Sequence, residues 1–383
     1  MDLRLSDEHR ALRAAFHEFA DDVLVPHAIR NDREERFPAE ALDALRAAGY
    51  LGLTIPTEFG GSGADPLSYA LLVEELGRGD ANVRSIVSVH LGLVAGAIAR
   101  HGTAEQHKQW LPRMAAGEVL GCFGLTEPDY GSDPAGLTAR AERQPDGGYR
   151  MTGRKVFITN GSIAGVALVM ARTGGPGARG ISAFLVPTDA PGFSARPIHG
   201  KHGLRACDTA ELVLDAVPVG PDALLGAEGE GLRIALRALD DGRMSIAASS
   251  VGIAQAALDA MVAYAGARTQ FGKPIAGHQL VQEMIADTAV DVDAGRLLTW
   301  AVTDLAERGE PYTLAASKAK LFCTEAAIRA ANNCVQVHGG YGYIDEYIAG
   351  KLLRDARVAT LYEGTSQIQK LLIGRALTGV SAF

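Results

Sequence analysis

The sequence predicts an α+β fold in which helices come first, a sheet follows and helices return. Three observations carry this reading. A helical hydrophobic period runs over roughly the first 117 residues; near Val119 it gives way to short β-branched segments punctuated by Gly, Pro and Asp; and it resumes after "GAEGEG". The expected division is an N-terminal helical domain over 1–117, a middle antiparallel β domain, barrel or sandwich, over 118–227, and a C-terminal four-helix bundle over 228–383.

In the first zone Leu12, Phe16, Phe19 and Val23 recur at steps of four and three, as one buried helix face requires. "FPAEALDALRAAGY" predicts a helix with Pro38 in its first turn and Gly49 beyond its end. "TAEQHKQWLPRMAAGE" opens on Thr103 with Gln106 three residues later, a capping box. The middle zone supplies strands in "GYRMTGRKVFITNGS", "GVALVMAR", "GISAFLVP" and "AELVLDAVPV". Long Ala-rich helices are expected over 229–266, 277–308 and 311–337, and a last one from 366, where Ser366 and Gln369 fit a second capping box.

Composition narrows the function. A chain of 383 residues, 47% hydrophobic, can bury a substantial core in two or three domains. Its 37 basic and 45 acidic residues leave a net charge of −8, which favours neither a nucleic-acid backbone nor an anionic membrane surface as partner. Cys122, Cys207, Cys323 and Cys334 form no C-x-x-C pair and no zinc-like spacing with histidines, so a reducing cytoplasm is expected and a metal is not. The first residues carry acids and no apolar h-region, and no stretch reaches 18 uncharged apolar residues. Neither export nor a membrane span is expected.

Two motifs are decoys. "GPGARG" (175–180) satisfies G-x-G-x-x-G, but the strand "ISAFLVP" follows where a dinucleotide fingerprint needs a helix, so a hairpin loop is expected. "HGKH" (199–202) lies in a loop without a third ligand and is expected at the surface. No G-x-S-x-G elbow and no P-loop occur.

"LYEGTSQIQK" (361–370) poses the functional question. Glu363 precedes natural N-terminal residues, so it can be a charge favoured by a helix start; it can equally be a base. Four stretches bear on the choice: "CFGLTEPDYGSD" (122–133), "KVFITNG" (155–161), "RTQFGKPIAGHQ" (268–279) and "QVHGGYGYIDEYIAGKLLRDARVATLYEGTSQIQ" (336–369). In order and separation, over essentially the whole chain, they resemble the acyl-CoA dehydrogenase family.

The resemblance implies an FAD enzyme that desaturates an acyl thioester between its α and β carbons, Glu363 of "YEGT" taking the α proton while the β hydride goes to the flavin. It implies that Phe123, Leu125 and Thr126, with Phe157, Ile158 and Thr159, line the flavin, and that Gly131 and Ser132 lie between flavin and thioester carrier. Arg268, Gln270 and Phe271 would meet the pyrophosphate and adenosine end, with Gln336, Gly339, Gly340, Thr365 and Gln367 wrapping it, partly from a neighbouring subunit of a homodimer or homotetramer. Residue chemistry agrees: apolar walls with hydroxyl donors suit an isoalloxazine, and a guanidinium suits a phosphate.

For the substrate, the resemblance implies Ser88 and Val89 at the acyl pocket, Asp240 and Arg243 near its mouth, and Gly364 beside the base. Val89, where longer-chain enzymes carry glycine, points to a short or short-branched acyl group. The thioester handle is coenzyme A or a carrier-protein phosphopantetheine, which present the same arm. Electrons would pass to electron-transferring flavoprotein, with oxygen as the alternative acceptor, and a non-catalytic flavin-binding scaffold is the reading from another class.

Overall fold

The computed structural model describes residues 4–382. Six helices come first: α1 (Asp7–Phe19), α2 (Val25–Glu34), α3 (Ala39–Ala47), α4 (Pro66–Val87), α5 (Gly96–His101) and α6 (Ala104–Ala115). Of the predicted face, Phe16 is fully buried on α1, while Leu12 and Phe19 of α1 and Val23 of the π-helical turn Ala20–Leu24 that follows are half-buried against the same core. Pro38 is the N-cap of α3 and not part of its first turn, and Gly49 beyond the helix adopts φ +72°. The Thr103–Gln106 capping box of α6 forms in both directions.

Helix α4 kinks at Asp80 (φ −159°, ψ 111°), whose carboxylate caps the following turn by accepting from the Asn82 backbone N–H at 3.1 Å. Lys351 donates to Asp80 at 2.9 Å and to Asp355 at 2.7 Å, and Asp355 accepts from the Leu204 N–H at 2.6 Å. This buried cluster ties the helical N-terminal zone, the sheet and the C-terminal zone together. After α4 the chain continues as a π-helical segment, Ser88–Ala95; such wide turns re-space side chains and recur at functional sites.

The middle zone holds β1 (Gly121–Gly124), β2 (Arg140–Arg143), β3 (Tyr149–Thr159), β4 (Val166–Arg172), β5 (Ile181–Pro187), β6 (Phe193–Pro197), β7 (Thr209–Val219) and β8 (Leu224–Leu225). They form one sheet ordered β6-β7-β3-β2-β4-β5-β8, with β1 beside β4. Pairing is antiparallel except that β1 and β2 run parallel to β4, a departure from a purely antiparallel domain that follows from both strands reaching β4 through long connections. The "GPGARG" segment lies in the β4–β5 hairpin connection, and His199 and His202 are exposed in a loop, as expected.

Helix α7 (Gly231–Ala267) is followed by a small hairpin, β9 (Thr269–Gln270) and β10 (Lys273–Pro274), then α8 (Gln279–Glu307), α9 (Thr313–His338), α10 (Ala349–Ala359) and α11 (Ser366–Thr378). Helices α7, α8 and α9 pack on one another, and α10 and α11 pack on α9. Helix α10 lay inside a quoted motif without being foreseen as a helix; its six buried positions are Ala349, Lys351, Leu352, Asp355, Ala356 and Ala359, half of them charged or followed by charge, which blurs the apolar stripe. The α11 capping box does not form. Thr365 is the N-cap, accepting from the Ile368 N–H at 3.2 Å, while Ser366 donates to Glu325 at 2.6 Å and Gln369 turns back to the Glu363 and Gly364 carbonyls.

The most apolar long helical runs, Pro66–His101 and Gly231–Ala267, are long and apolar enough to cross a membrane, but they are mostly buried within the protein and α7 packs against α4. Their apolarity is satisfied internally.

Candidate active site

A cavity of about 640 Å³ opens where the π-helical segment, the sheet, α7 and the start of α11 meet. Its wall on the sheet side begins with a β-bulge. Two residues of β3, Val156 and Phe157, stand opposite the single Glu211 of β7, between the pairs Lys155–Leu212 and Ile158–Ala210. Phe157 takes φ +60° in this bulge and remains 69% exposed, so its ring is turned out of the ladder and onto the cavity. The Val156 N–H donates to the Thr126 carbonyl at 2.9 Å, which clips the "FGLT" segment beside the bulge.

A buried ion pair orders the next stretch. Lys155 Nζ donates to Glu127 at 2.9 Å and to the Leu125 carbonyl at 3.1 Å, and the same carboxylate accepts from the Thr138 N–H and hydroxyl and the Ala139 N–H at 2.7–2.8 Å. Despite desolvation, the Lys155 charge and these N–H groups hold the Glu127 carboxyl below its ordinary range. The loop between residues 127 and 138 is thereby folded back, bringing Gly131 and Ser132 to the cavity wall.

Glu363 closes the opposite side. It adopts φ +56°, a left-handed conformation costly for a side chain with a β-carbon, and Gly364 follows at φ +89°. The turn is held by Gln369 Nε2, which donates to both carbonyls at 3.1 Å, and by buried Lys320, which donates to the Gly364 carbonyl at 2.8 Å. The Glu363 carboxylate faces α7 at Gly242, where a β-carbon would lie 1.9 Å from Oε2. Oε2 is buried without a hydrogen-bond partner among the described residues. Burial pushes the carboxyl up to about 7, against the pull of Arg243, Lys320 and Arg84.

Of the residues predicted from sequence, this cavity brings together Phe123, Leu125, Thr126, Gly131, Ser132, Phe157, Ile158, Thr159, Ser88, Val89, Arg243, Gly364 and Glu363. Asp240 is a correction. It does not line the cavity but is buried beside it, accepting from Arg243 at 2.7 Å and from the Thr313 hydroxyl at 2.6 Å, so it orients Arg243.

The set expected at the far end of the cofactor, partly from a neighbouring subunit, is not brought to this cavity within one chain. Arg268, Gln270, Gly339 and Gly340 line a separate hollow of about 550 Å³, floored by His338 stacked on Tyr264 with centroids 4.2 Å apart. Phe271 is 94% exposed at the β9–β10 turn, Gln336 and Gln367 point outward and are exposed, and Thr365 serves as the α11 cap.

Three residues were missed by sequence reading. Gly242 admits the Glu363 carboxylate, Lys320 holds the turn beneath it, and Arg84 lines the cavity four residues ahead of Ser88. The available signals were a glycine within a long helical pattern and charged residues on otherwise apolar helix faces.

The residues fit FAD. An exposed aromatic ring at a strained backbone position, threonine hydroxyls on either side of it, and an unpaired buried carboxylate oxygen across the cavity all suit a planar heteroaromatic group with polar edges. Comparison with known proteins agrees. Models of the acyl-CoA dehydrogenase N-terminal, middle and C-terminal domains match residues 6–118, 122–217 and 229–378. The mitochondrial short-chain specific acyl-CoA dehydrogenase of Bos taurus is 40% identical, over 97% of this chain and 90% of its own. The butyryl-CoA dehydrogenase structure from Megasphaera elsdenii superposes with a TM-score of 0.96 at 37% identity, covering 98% of this chain and all of its own. A Mycobacterium smegmatis glutaryl-CoA dehydrogenase solved in complex with FADH2 does so with a TM-score of 0.94 at 39% identity, covering 99% of this chain and 96% of that one. The chain belongs to the acyl-CoA dehydrogenase family, FAD-dependent oxidoreductases that act on a CH–CH bond of an acyl thioester.

Proposed function

We propose that, in the α,β-dehydrogenation of a short acyl-CoA thioester, Glu363 is the base that removes the α proton. The observation that carries this reading is the carboxylate of a residue that lines the same cavity as Phe157 and Thr159, with one oxygen buried against Gly242 and left without a hydrogen-bond partner among the described residues. A carboxyl raised to about 7 is ionised for much of the time at neutral pH and still basic enough to accept a proton from carbon. The left-handed turn holds that carboxylate in place before substrate arrives, which lowers the reorganisation needed during proton transfer.

Phe123, Leu125, Thr126, Gly131, Ser132, Phe157, Ile158 and Thr159 hold the flavin ring in this reading, and bound FAD supplies the acceptor for the β hydride. Ser88 and Val89 bound the acyl tail, Val89 limiting its length, while Arg243, oriented by Asp240, attracts the thioester carrier. Arg268, Gln270, Phe271, Gln336, Gly339, Gly340 and Gln367 form the second part of the cofactor site, completed by another copy of the chain. Support comes from their separation from the cavity and from the apolar surface around them, where Phe271, Tyr343 and Leu280 are exposed. A homodimer or homotetramer, electron-transferring flavoprotein as acceptor, a cytoplasmic location and the three-domain division at 1–117, 118–227 and 228–383 complete the proposal.

The test is anaerobic titration of the yellow holoenzyme with acyl thioesters from propionyl to octanoyl. Bleaching of the flavin absorbance by short members, with loss of that response in Glu363→Gln, is the expected result. An enzyme that no thioester bleaches, or a Glu363→Gln variant that bleaches at the wild-type rate, would overturn it.

A further inference from the structure

Three lysines are buried among the described residues, and two of them touch carboxylates: Lys155 meets Glu127 at 2.9 Å, and Lys351 lies between Asp80 at 2.9 Å and Asp355 at 2.7 Å. Lys320 of α9 does not. It is 0% exposed, while Lys318, on the opposite face of the same helix, is exposed. Among the described residues its Nζ has one hydrogen bond, to the Gly364 carbonyl at 2.8 Å, and no carboxylate in ion-pair contact. Burying an ammonium in this way is costly, and a lysine can shed its proton to avoid the cost. Burial does pull Lys320 down to about 8, with Arg243 acting in the same direction and Glu363 and Glu325 opposing it. Lys320 therefore still carries its charge at neutral pH.

The carbonyl that it holds is next to the base. Gly364 follows Glu363 in the left-handed turn, so the ammonium is fastened to the backbone that carries the carboxylate, while the carboxylate itself turns to Gly242. The two opposite charges are buried together without touching. Contact would draw the carboxyl well down and weaken it as a base, whereas with no cation burial alone would keep it protonated at neutral pH. The other charges facing Glu363 are Arg243 and Asp241 of α7 and Arg84 of α4. Asp240 offsets Arg243 at 2.7 Å, Asp241 opposes ionisation, and Arg84 is spent on the Tyr362 hydroxyl. Glu325, the acid beside Lys320 on α9, accepts from the Ser366 hydroxyl at 2.6 Å. Among the described residues, Lys320 is the cation hydrogen-bonded to the backbone of the base's own turn.

We propose that Lys320 is a positioning residue for proton abstraction, its ammonium fixing the Glu363–Gly364 turn and keeping the carboxylate ionised before the thioester arrives. The proposal rests on Glu363 as the base and identifies what keeps that base ready. No proton passes between the two side chains: the lysine stays protonated on the Gly364 carbonyl while the α proton moves to the carboxylate.

The experiment follows kcat/KM against pH, by anaerobic flavin reduction, with the short acyl-CoA that best bleaches the wild-type holoenzyme. Three variants are compared with it: Lys320→Gln, neutral with a donor; Lys320→Met, neutral without one; and Lys320→Arg, which keeps the charge. Both neutral variants should move the acidic limb up from about 7 by roughly one pH unit. At pH 6 they should be about 10-fold slower than wild type and at pH 9 within about twofold of it, while Lys320→Arg keeps the wild-type limb. A loss of the same size at every pH in both neutral variants overturns the proposal, because Lys320 then only supports the turn. Lys320→Gln with the wild-type limb also overturns it, the hydrogen bond then being sufficient. If the neutral variants purify without flavin, Lys320→Arg decides: a limb left in place upholds the proposal, and a limb displaced upward overturns it. Loss of flavin from all three overturns it as well, since a residue that acts on the base through its charge leaves the cofactor in place. Unmoved limbs alongside an inactive Glu363→Gln sink this inference alone; a Glu363→Gln variant as fast as wild type takes the base reading down with it.

Discussion

The carboxylate of Glu363 lies against the backbone of Gly242, so close that a β-carbon on the glycine would fall 1.9 Å from Oε2. Gly242 belongs to α7, and Glu363 to the turn between α10 and α11. Their contact places the acid inside the cavity instead of on a helix start facing water. Gly242→Ala is therefore a test of position without change of charge. Alanine is favoured by about 1 kcal/mol over glycine in a helix interior, which offsets part of the crowding, so unfolding by denaturant should shift little. The rate of flavin reduction should fall at least ~10-fold because the base is displaced from its reaction geometry.

Glu363→Gln removes the base and keeps the shape. Flavin reduction by a short acyl-CoA should slow by about 10²–10⁴-fold, the usual contribution of a general base, while FAD content and thioester binding persist. Stopped-flow absorbance under nitrogen measures the first, and the visible spectrum of the purified protein the second.

Two pH dependences follow from a carboxyl raised to about 7. For activity, the base must be ionised, so kcat/KM should rise tenfold per pH unit below about 7 and level off above it. For stability the sign is opposite. The folded protein holds a proton that the unfolded chain releases near 4.5, so this group's contribution is complete below that value and is lost as pH rises through about 7. Glu363→Gln should thus be more stable than wild type at pH 8, by about 1–3 kcal/mol, with the gap closing at pH 5; thermal melts of both proteins in matched buffers read this directly.

Lys155→Met leaves Glu127 buried without its cation and frees the Leu125 carbonyl. Breaking a buried pair by removing one partner costs about 3–5 kcal/mol, and here the lost contact also orders the loop bearing Gly131 and Ser132. Denaturant unfolding should show a loss of that size, accompanied by reduced flavin retention after gel filtration.

Arg268 lies apart from the cavity, at the rim of the second hollow, with its guanidinium 5.8 Å from the Tyr341 ring centroid. If its charge meets the cofactor pyrophosphate, Arg268→Ala should weaken FAD binding at least ~10-fold in apoenzyme reconstitution titrated by fluorescence. Conditions that separate the oligomer should weaken binding in the wild type as well.

By itself the sequence determined the helix, sheet, helix order, the strands of the middle zone, the decoy character of "GPGARG", and the residues gathered around Glu363. Those are legible because periodicity, turn chemistry and contiguous motifs are properties of neighbours along the chain. Tertiary structure alone decided that Asp240 turns from the cavity toward Thr313, that Thr365 and not Ser366 caps α11, and that the cofactor-binding set is split between two hollows. It also decided that Arg84, 278 positions from its partner Tyr362, stands inside the site. The physical reason is that a charge's role depends on what desolvates and neutralises it, and those groups arrive from segments distant in sequence, where no local pattern records them.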